Sequence, residues 1–209
     1  MKLVVISSSK NKTDDPKIMT ELFECGLNLF HLRKPSMSTE DMQKVIEAVP
    51  EHFHDRIVIH SHHKLAGKYK LRGIHLTGVH RRRKFSTWLR LRLLQMKHDS
   101  LTVSTSFHKL AHIYTNKSDY DYVFLGSIFD RLSTGFHAGY SEHSLRAVVE
   151  KSKLTLIARG GTNASVIGRC HDIGFAGIAF ASAIWDTEAP VDAWKNIVDT
   201  CRSSSIKVE

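Results

Sequence analysis

Short apolar runs recur along the chain and alternate with stretches in which apolar residues fall three or four positions apart. The runs predict strands buried on both faces, and the stretches between them predict helices. The predicted strands occupy residues 2–7, 28–33, 56–60, 73–76, 101–105, 121–125 and 154–157, with the eighth in the segment 177–185. Regular alternation implies a parallel sheet. Eight such units in 209 residues favour a single closed (βα)8 TIM barrel over residues 1–209 rather than an open doubly wound sheet.

A glycine pair late in the chain carries the clearest candidate for ligand binding. Gly160 and Gly161 follow a predicted strand, and Thr162 and Asn163 can then cap a helix. A sharp turn followed by a helix start favours negative charge, because its free N–H groups and the helix dipole both point to the ligand.

A second strand-and-turn unit follows the first and leads into small residues. We predict that Ala181 and Ser182 of this second turn bind phosphate together with Gly160 and Gly161, since phosphate-binding barrels use the loops after their last two strands. The alternative is two ordinary turns without a ligand.

Other candidates lie where predicted strands end, because barrel enzymes build their sites from the C-terminal ends of strands. Arg33 can hold two phosphate oxygens with its planar guanidinium, unless it is a surface ion-pair partner. Lys34 points away from Arg33 by strand alternation and is a candidate substrate contact, as is Ser104 after strand five. His60 titrates near neutral pH and is a candidate general acid or base.

The loop over residues 126–140 is long and polar for a strand-to-helix connection. It predicts either a lid over the barrel mouth or a plain surface loop. Ser127 is a candidate catalytic residue, Ser133 and Thr134 offer hydroxyl groups to a substrate, and Arg131 offers an anion contact.

The many histidines raise the question of a metal site. The five between residues 60 and 80 have a spacing that matches no standard zinc site and include no carboxylate, so we expect no metal ligands among them; they are His60, His62, His63, His75 and His80. The three cysteines, Cys25, Cys170 and Cys201, are too far apart for a disulfide framework or a zinc pattern.

The net charge is +9 with neutral histidines, which favours anionic partners such as phosphorylated metabolites, nucleic acid or acidic surfaces. For the basic run 81–84 we favour a solvated face over nucleic-acid binding, because no RNA-binding motif or interleaved aromatic residues accompany it. No apolar run reaches membrane-spanning length and no signal peptide is evident, so we expect a cytoplasmic protein. The pattern is compatible with a homo-oligomer and does not specify one.

The order of these motifs resembles the thiamine-phosphate synthase / TenI family over nearly the whole chain. The matching segments are residues 31–33 (His-Leu-Arg), 59–66, 73–77 (Gly-Ile-His-Leu-Thr), 103–104, 126–129 (Gly-Ser-Ile-Phe), 158–161 (Ala-Arg-Gly-Gly) and 181–184. The resemblance implies a (βα)8 barrel in thiamine biosynthesis with a thiazole phosphate held by the last two loops. In the synthase it also implies a pyrimidine pyrophosphate held by magnesium and by the arginine that Arg33 matches.

The chain departs from the synthase pattern at the magnesium end. Ser61, or a neighbouring histidine, and His80 stand where the family has aspartates, and Pro35 stands where it has lysine. The strand-six loop reads Arg-Leu-Ser-Thr over residues 131–134 instead of Thr-x-Thr-Lys. A pyrophosphate leaving group without those carboxylates loses most of its charge stabilisation.

The departures favour a TenI-like member that binds a thiazole phosphate, for proton transfer or for carriage. The tautomerase histidine expected in the strand-six turn is Ser127 here, so a base would come from elsewhere, for instance His60 or His137. One alternative is an active synthase that condenses aminopyrimidine pyrophosphate with thiazole phosphate, the only case that needs magnesium. Another is a non-catalytic regulator that binds a phosphate ligand or nucleic acid.

Overall fold

The strands form the barrel that the apolar pattern predicts. A computed structural model describes residues 1–11, 13–129 and 140–209. Its strands are β1 (Lys2–Ile6), β2 (Phe30–Leu32), β3 (Ile57–Ile59), β4 (Gly73–Leu76), β5 (Thr102–Phe107), β6 (Tyr122–Leu125), β7 (Leu156–Arg159) and β8 (Gly177–Phe180). They are ordered β1 to β8 in a closed barrel with parallel pairing. The predicted fold class is confirmed.

Helices alternate with the strands. They are α1 (Asp15–Glu24), α2 (Thr39–Glu47), α3 (Lys64–Lys68), α4 (Gly78–Arg82), α5 (Lys84–Gln95), α6 (Leu110–Thr115), α7 (Glu142–Lys151), α8 (Ile167–Ile173), α9 (Ser182–Trp185) and α10 (Pro190–Ser203). Two 3-10 helices, Glu51–Arg56 and Ala164–Val166, precede β3 and α8. Within the described ranges, no helix is both long enough and apolar enough to cross a membrane.

Hydroxyl caps start several helices. Ser38 Oγ accepts a hydrogen bond from the Asp41 N–H at 3.0 Å, and Ser141 Oγ accepts one from the Ser144 N–H at 3.2 Å. A cap of this kind satisfies an N–H that has no partner inside the helix. Ser86 is different: α5 begins before it, and its hydroxyl donates to the Arg83 carbonyl at 3.2 Å. Ser86 therefore lies inside the helix and does not cap its start.

Two strands end later than the apolar pattern predicts. β5 continues to the buried side chain of Phe107, two residues beyond its predicted end, and the next helix begins at Leu110. β7 begins two residues later than predicted and runs up to the glycine pair. Pairing of Arg159 with Ala179 on β8 extends β7 beyond the apolar run.

The chain comprises two compact units, Ile6–Thr105 and a second made of Met1–Val5 with Ser106–Glu209. The first has its own aromatic core, where the rings of Phe23 and Phe30 meet edge to face at 5.9 Å. The second buries Phe124 and Trp194 to 2% exposure or less. Organisation as one domain stays a prediction.

Candidate functional site

The glycine pair forms a tight turn in the second unit. Gly160 has φ +94° and Gly161 has φ +67°, both in the left-handed region that side chains disfavour. A Cβ on Gly160 would lie 2.7 Å from Ser127 Oγ, and one on Gly161 would lie 2.6 Å from the Phe129 carbonyl oxygen. The Phe129 N–H also donates to the Gly160 carbonyl at 3.1 Å. The turn therefore requires glycine both for its conformation and for its packing.

A cavity of about 210 Å³ opens beside this turn. It is lined by all four residues predicted to bind phosphate and by Ser127, together with His108, Gly126, Arg159, Thr162 and Ala179. Its volume is below the roughly 300–1,000 Å³ of drug-sized ligand pockets, so it suits a small group such as a phosphate.

The cavity wall offers groups that suit an anion. α9 begins at Ser182, and the first N–H groups of a helix have no acceptor within it. Thr162 Oγ1 donates to the Ala179 carbonyl at 2.6 Å and so ties the glycine turn to β8. Asn163 Oδ1 accepts from the Ser165 N–H at 2.9 Å, which caps the 3-10 helix as predicted. Arg159 adds positive charge to the wall.

His108 is a cavity residue that the sequence pattern did not single out. Its Nδ1 lies 2.8 Å from the Gly126 carbonyl oxygen. A carbonyl can only accept, so Nδ1 carries the proton and the lone pair of a neutral ring is on Nε2. This residue follows directly after β5, whose end lies two residues beyond the predicted one. Its position one residue after a strand was the signal available.

We expect Gly161→Ala to weaken anion binding at this cavity at least tenfold. The left-handed conformation costs an L-residue about 1–2 kcal/mol, and the added Cβ forces the Phe129 backbone to move. The measurement is the rise in melting temperature that inorganic phosphate produces. Gly168→Ala is the matched control, because nothing lies within 4 Å of a Cβ there. Equal phosphate responses of the two variants would contradict the assignment of the cavity.

In the first unit, Arg33 and Lys34 follow the end of β2, and the first is exposed while the second is buried. The Arg33 N–H donates to Ser7 Oγ at 2.8 Å, that hydroxyl donates to the Arg33 carbonyl at 3.0 Å, and the Arg33 side chain is exposed. Lys34 is 1% exposed, and its ammonium contacts Asp15 and the Lys10 carbonyl. A substrate contact by Lys34 would therefore require this buried ion pair to open.

His60 and Ser104 lie together in a buried row in the first unit. His60 is 6% exposed, and its ring stacks on His75 with centroids 4.1 Å apart. Ser104 Oγ lies 2.9 Å from His75 Nδ1 and is thereby engaged with a histidine. The roles predicted for His60 in catalysis and for Ser104 in substrate binding stay predictions.

By the resemblance, the positions of the synthase's magnesium aspartates carry Ser61, or a neighbouring histidine, and His80. Ser61 Oγ is buried without a hydrogen-bond partner among the described residues. The Thr77 N–H donates to His80 Nδ1 at 3.2 Å, so this imidazole acts as part of a helix cap. Burial lowers the pKa of His80, and Arg90 and Arg83 lower it further.

His63 lies beside His80. Its ring centroid lies 4.6 Å from that of His80. Burial, and then the charges of His80 and Arg90, lower its pKa to about 4. Magnesium takes oxygen ligands, mostly carboxylates and water, in its protein sites. A hydroxyl and imidazoles beside arginines do not fit that ion, so we derive no step through magnesium.

Several predicted contacts of the strand-six loop lie outside the described residues. They are Arg131, Ser133 and Thr134, with the alternative base His137. Ser127, from the same predicted loop, is described, is exposed and lines the cavity beside the glycine pair. The lid stays a prediction.

The basic segment is partly exposed, and its interpretation as a solvated face stays a prediction. Arg81 is half-buried and donates to Thr105 Oγ1 at 2.5 Å, while Arg82 and Arg83 are exposed. Large apolar side chains stand among the cations: Phe85 is 75% exposed and Trp88 is 56% exposed. Their rings stack with centroids 6.3 Å apart. The expected lack of interleaved aromatic residues was therefore wrong.

Comparison with known proteins shows which family the chain resembles. A family model described as thiamine monophosphate synthase matches residues 3–184. No curated protein sequence matches significantly. The chain is similar to thiamine phosphate pyrophosphorylase from Bacteroides thetaiotaomicron, with 27% identity, TM-score 0.76, and 97% of this chain and 98% of that chain covered.

More distant structures share the fold. The thiamine phosphate pyrophosphorylase from Pyrococcus furiosus is 19% identical with TM-score 0.75, covering 97% of this chain and 96% of that chain. A 3-hexulose-6-phosphate synthase is 16% identical with TM-score 0.63, covering 96% and 99%. At these identities the likeness concerns the fold alone.

Proposed function

The chain belongs to the thiamine monophosphate synthase (TMP-TENI) family, and on that premise we propose that it is a TenI-like member that binds a thiazole phosphate. The phosphate would occupy the cavity beside Gly160, Gly161 and Ser182. The cavity's size, the helix start of α9 and the charge of Arg159 support an anionic group there.

The observation that carries this choice over an active synthase is the character of the Ser61 and His80 positions. The pKa of His80 lies below its usual range because of burial and because Arg90 and Arg83 repel a further positive charge. Magnesium takes oxygen ligands, mostly carboxylates and water, and neither Ser61 nor His80 supplies a carboxylate. Without the cation, the charge that develops on a pyrophosphate leaving group has lost its main stabilisation.

His108 is the base that the cavity supports best. Its Nε2 can take a proton from a ring carbon of a non-aromatic thiazole tautomer and deliver a proton to the other end of the conjugated system. The reaction is an isomerisation, so no atoms are gained or lost. Gly126 holds the ring through Nδ1, and Tyr140 Oη donates to the His108 main-chain carbonyl at 2.5 Å. His60 is a weaker candidate because its ring is buried against His75.

The test supplies the thiazole phosphate tautomer, aminopyrimidine pyrophosphate and Mg²⁺ together. We expect aromatised thiazole phosphate to form and no pyrophosphate to be released. His108→Asn should lower the rate of proton transfer by about 10²-fold or more while thiazole phosphate still binds. Magnesium-dependent release of pyrophosphate would support the synthase instead. Binding without either reaction would support a carrier.

Nucleic-acid binding is a second candidate function, favoured by Phe85 and Trp88 standing exposed beside Arg82 and Arg83. Aromatic side chains stack on bases and cations neutralise phosphates. We expect any affinity for single-stranded RNA to fall steeply with salt and to be lost in the variant Arg82→Ala/Arg83→Ala/Trp88→Ala. Affinity that is insensitive to both changes would dismiss this candidate.

A further inference from the structure

Three histidines from neighbouring strands converge inside the first unit. His31 lies in β2, His60 follows β3 directly, and His75 lies in β4. One ring nitrogen from each lies within 4.8 Å of those of the other two. The three residues are 0%, 6% and 3% exposed, so the cluster is almost completely buried.

Strand register produces this convergence. Ile59 pairs with Ile74, which brings the next residues, His60 and His75, side by side. His75 pairs with Ser104 on the following strand. The spacing of 15 and 29 residues along the chain matches no sequence motif for a metal site, which is why the sequence predicts none.

We propose that His31, His60 and His75 form a site for one divalent transition-metal ion, with Zn²⁺ the ion that three imidazoles suit best. Neutral imidazole is a preferred ligand of zinc, copper and nickel rather than of magnesium or calcium. The proposal uses residues remote in sequence from the Gly160–Gly161 turn and does not depend on the proposed function.

The distances are close to those of a zinc site. Two nitrogens bound tetrahedrally at zinc–nitrogen distances of about 2.05 Å lie about 3.3 Å apart. His31 Nδ1 and His60 Nε2 are 3.0 Å apart, near that value. The widest separation within the cluster, up to 4.8 Å, would have to close by about 1.5 Å, which small rotations of the side chains can supply.

Ser104 supports the third ligand. Its hydroxyl lies 2.9 Å from His75 Nδ1, so an N–H at Nδ1 can donate to it while Nε2 turns its lone pair to the metal. Metal-binding histidines usually make such a hydrogen bond with their other ring nitrogen, and it sets the tautomer. One proton lies between His31 Nδ1 and His60 Nε2. When the metal binds, the ring that carries this proton would hold it on its other nitrogen instead, so that both facing nitrogens can bind the metal.

Three protein ligands leave a fourth position on a tetrahedral ion. Solvent or an anionic group can occupy it, as in catalytic rather than structural zinc sites. His60, at the C-terminal end of β3, is the most exposed of the three ligands, so the ion would enter from that end. The three imidazoles that hold the ion would be neutral, so the bound ion would keep its full positive charge.

The test uses the full chain without a polyhistidine tag, stripped with EDTA and titrated with Co²⁺. We expect one equivalent to bind with the intense visible absorption of four-coordinate cobalt and to be displaced by Zn²⁺. Ser104→Ala should weaken binding about tenfold, and His75→Asn should weaken it further. His171→Asn is the control, because the side chain of His171 is 56% exposed.

The second measurement is the zinc content of the purified wild-type chain. It tests the proposal even when His75→Asn fails to fold, because it needs no variant. About one equivalent after dialysis against zinc-free buffer supports the site. Cobalt that stays octahedral, a thiolate charge-transfer band from the cysteines, or equal affinity in folded His75→Asn and His171→Asn overturns it. These outcomes would mean that the three histidines form only a neutral hydrogen-bonded cluster.

Discussion

Asp15→Asn is expected to lower the free energy of unfolding by about 3–5 kcal/mol, the cost of leaving one charge of a buried ion pair without its partner. The Asp15 and Lys34 side chains are 3% and 0% exposed, and they contact each other directly. Asparagine keeps the shape of the aspartate and removes its charge, so the Lys34 ammonium stays buried beside a neutral amide and the Lys10 carbonyl. Urea unfolding followed by circular dichroism gives the measurement.

A double-mutant cycle separates the charge pair from packing. Lys34→Met should also destabilise, and Asp15→Asn/Lys34→Met should recover much of the loss because no charge is then buried.

Asp199→Asn is the matched control: its partner Arg202 is 3.2 Å away, but both side chains are at least 65% exposed, so the loss should stay below about 1 kcal/mol. Equal losses at Asp15 and Asp199 would contradict the account. A direct substrate contact by Lys34 would instead appear as ligand affinity that is lost in both variants lacking Lys34 and kept in Asp15→Asn.

His63 should make the fold sensitive to mild acid. Its pKa is about 4 in the folded chain, below the value of 6.5 for an unperturbed histidine, because of burial and then His80 and Arg90. The unfolded chain therefore binds more protons in this range, so stability present above pH 6.5 is lost as the pH falls towards 4. The shift corresponds to about 3 kcal/mol.

The measurement is the difference in unfolding free energy between wild type and His63→Leu at several pH values from 7.5 to 4. We expect the wild type to lose more stability than the variant on acidification, by about 3 kcal/mol over this range. His171→Asn, on an exposed side chain, should run parallel to the wild type. Parallel curves for His63→Leu and the wild type would show that the buried imidazole is not responsible.

The barrel could be predicted from the sequence because each strand and each helix is marked by a pattern of neighbouring residues. Each strand is a short apolar run, and each helix keeps one apolar stripe, so the period alone separates them. The glycine turn could also be predicted, since Gly160 and Gly161 adopt backbone angles that few other residues tolerate.

The side-chain clusters could not be predicted in the same way. The meeting of His31 with His60 depends on which residues of adjacent strands pair, and a shift of one residue would turn the side chains to the other face. His108 was missed because β5 extends two residues beyond its apolar run. The exposure of Phe85 and Trp88 depends on how α5 packs, and spacing alone does not distinguish an inner from an outer apolar stripe.

Calorimetric titration of the wild-type chain with thiazole phosphate, once in EDTA and once in Mg²⁺, tests the central claim most directly. The account predicts stoichiometric binding with the same affinity in both buffers, weakened at least tenfold in Gly161→Ala and unchanged in Gly168→Ala. Binding that requires Mg²⁺, or no binding at all, would contradict a phosphate site at the glycine turn in a chain that lacks the magnesium carboxylates.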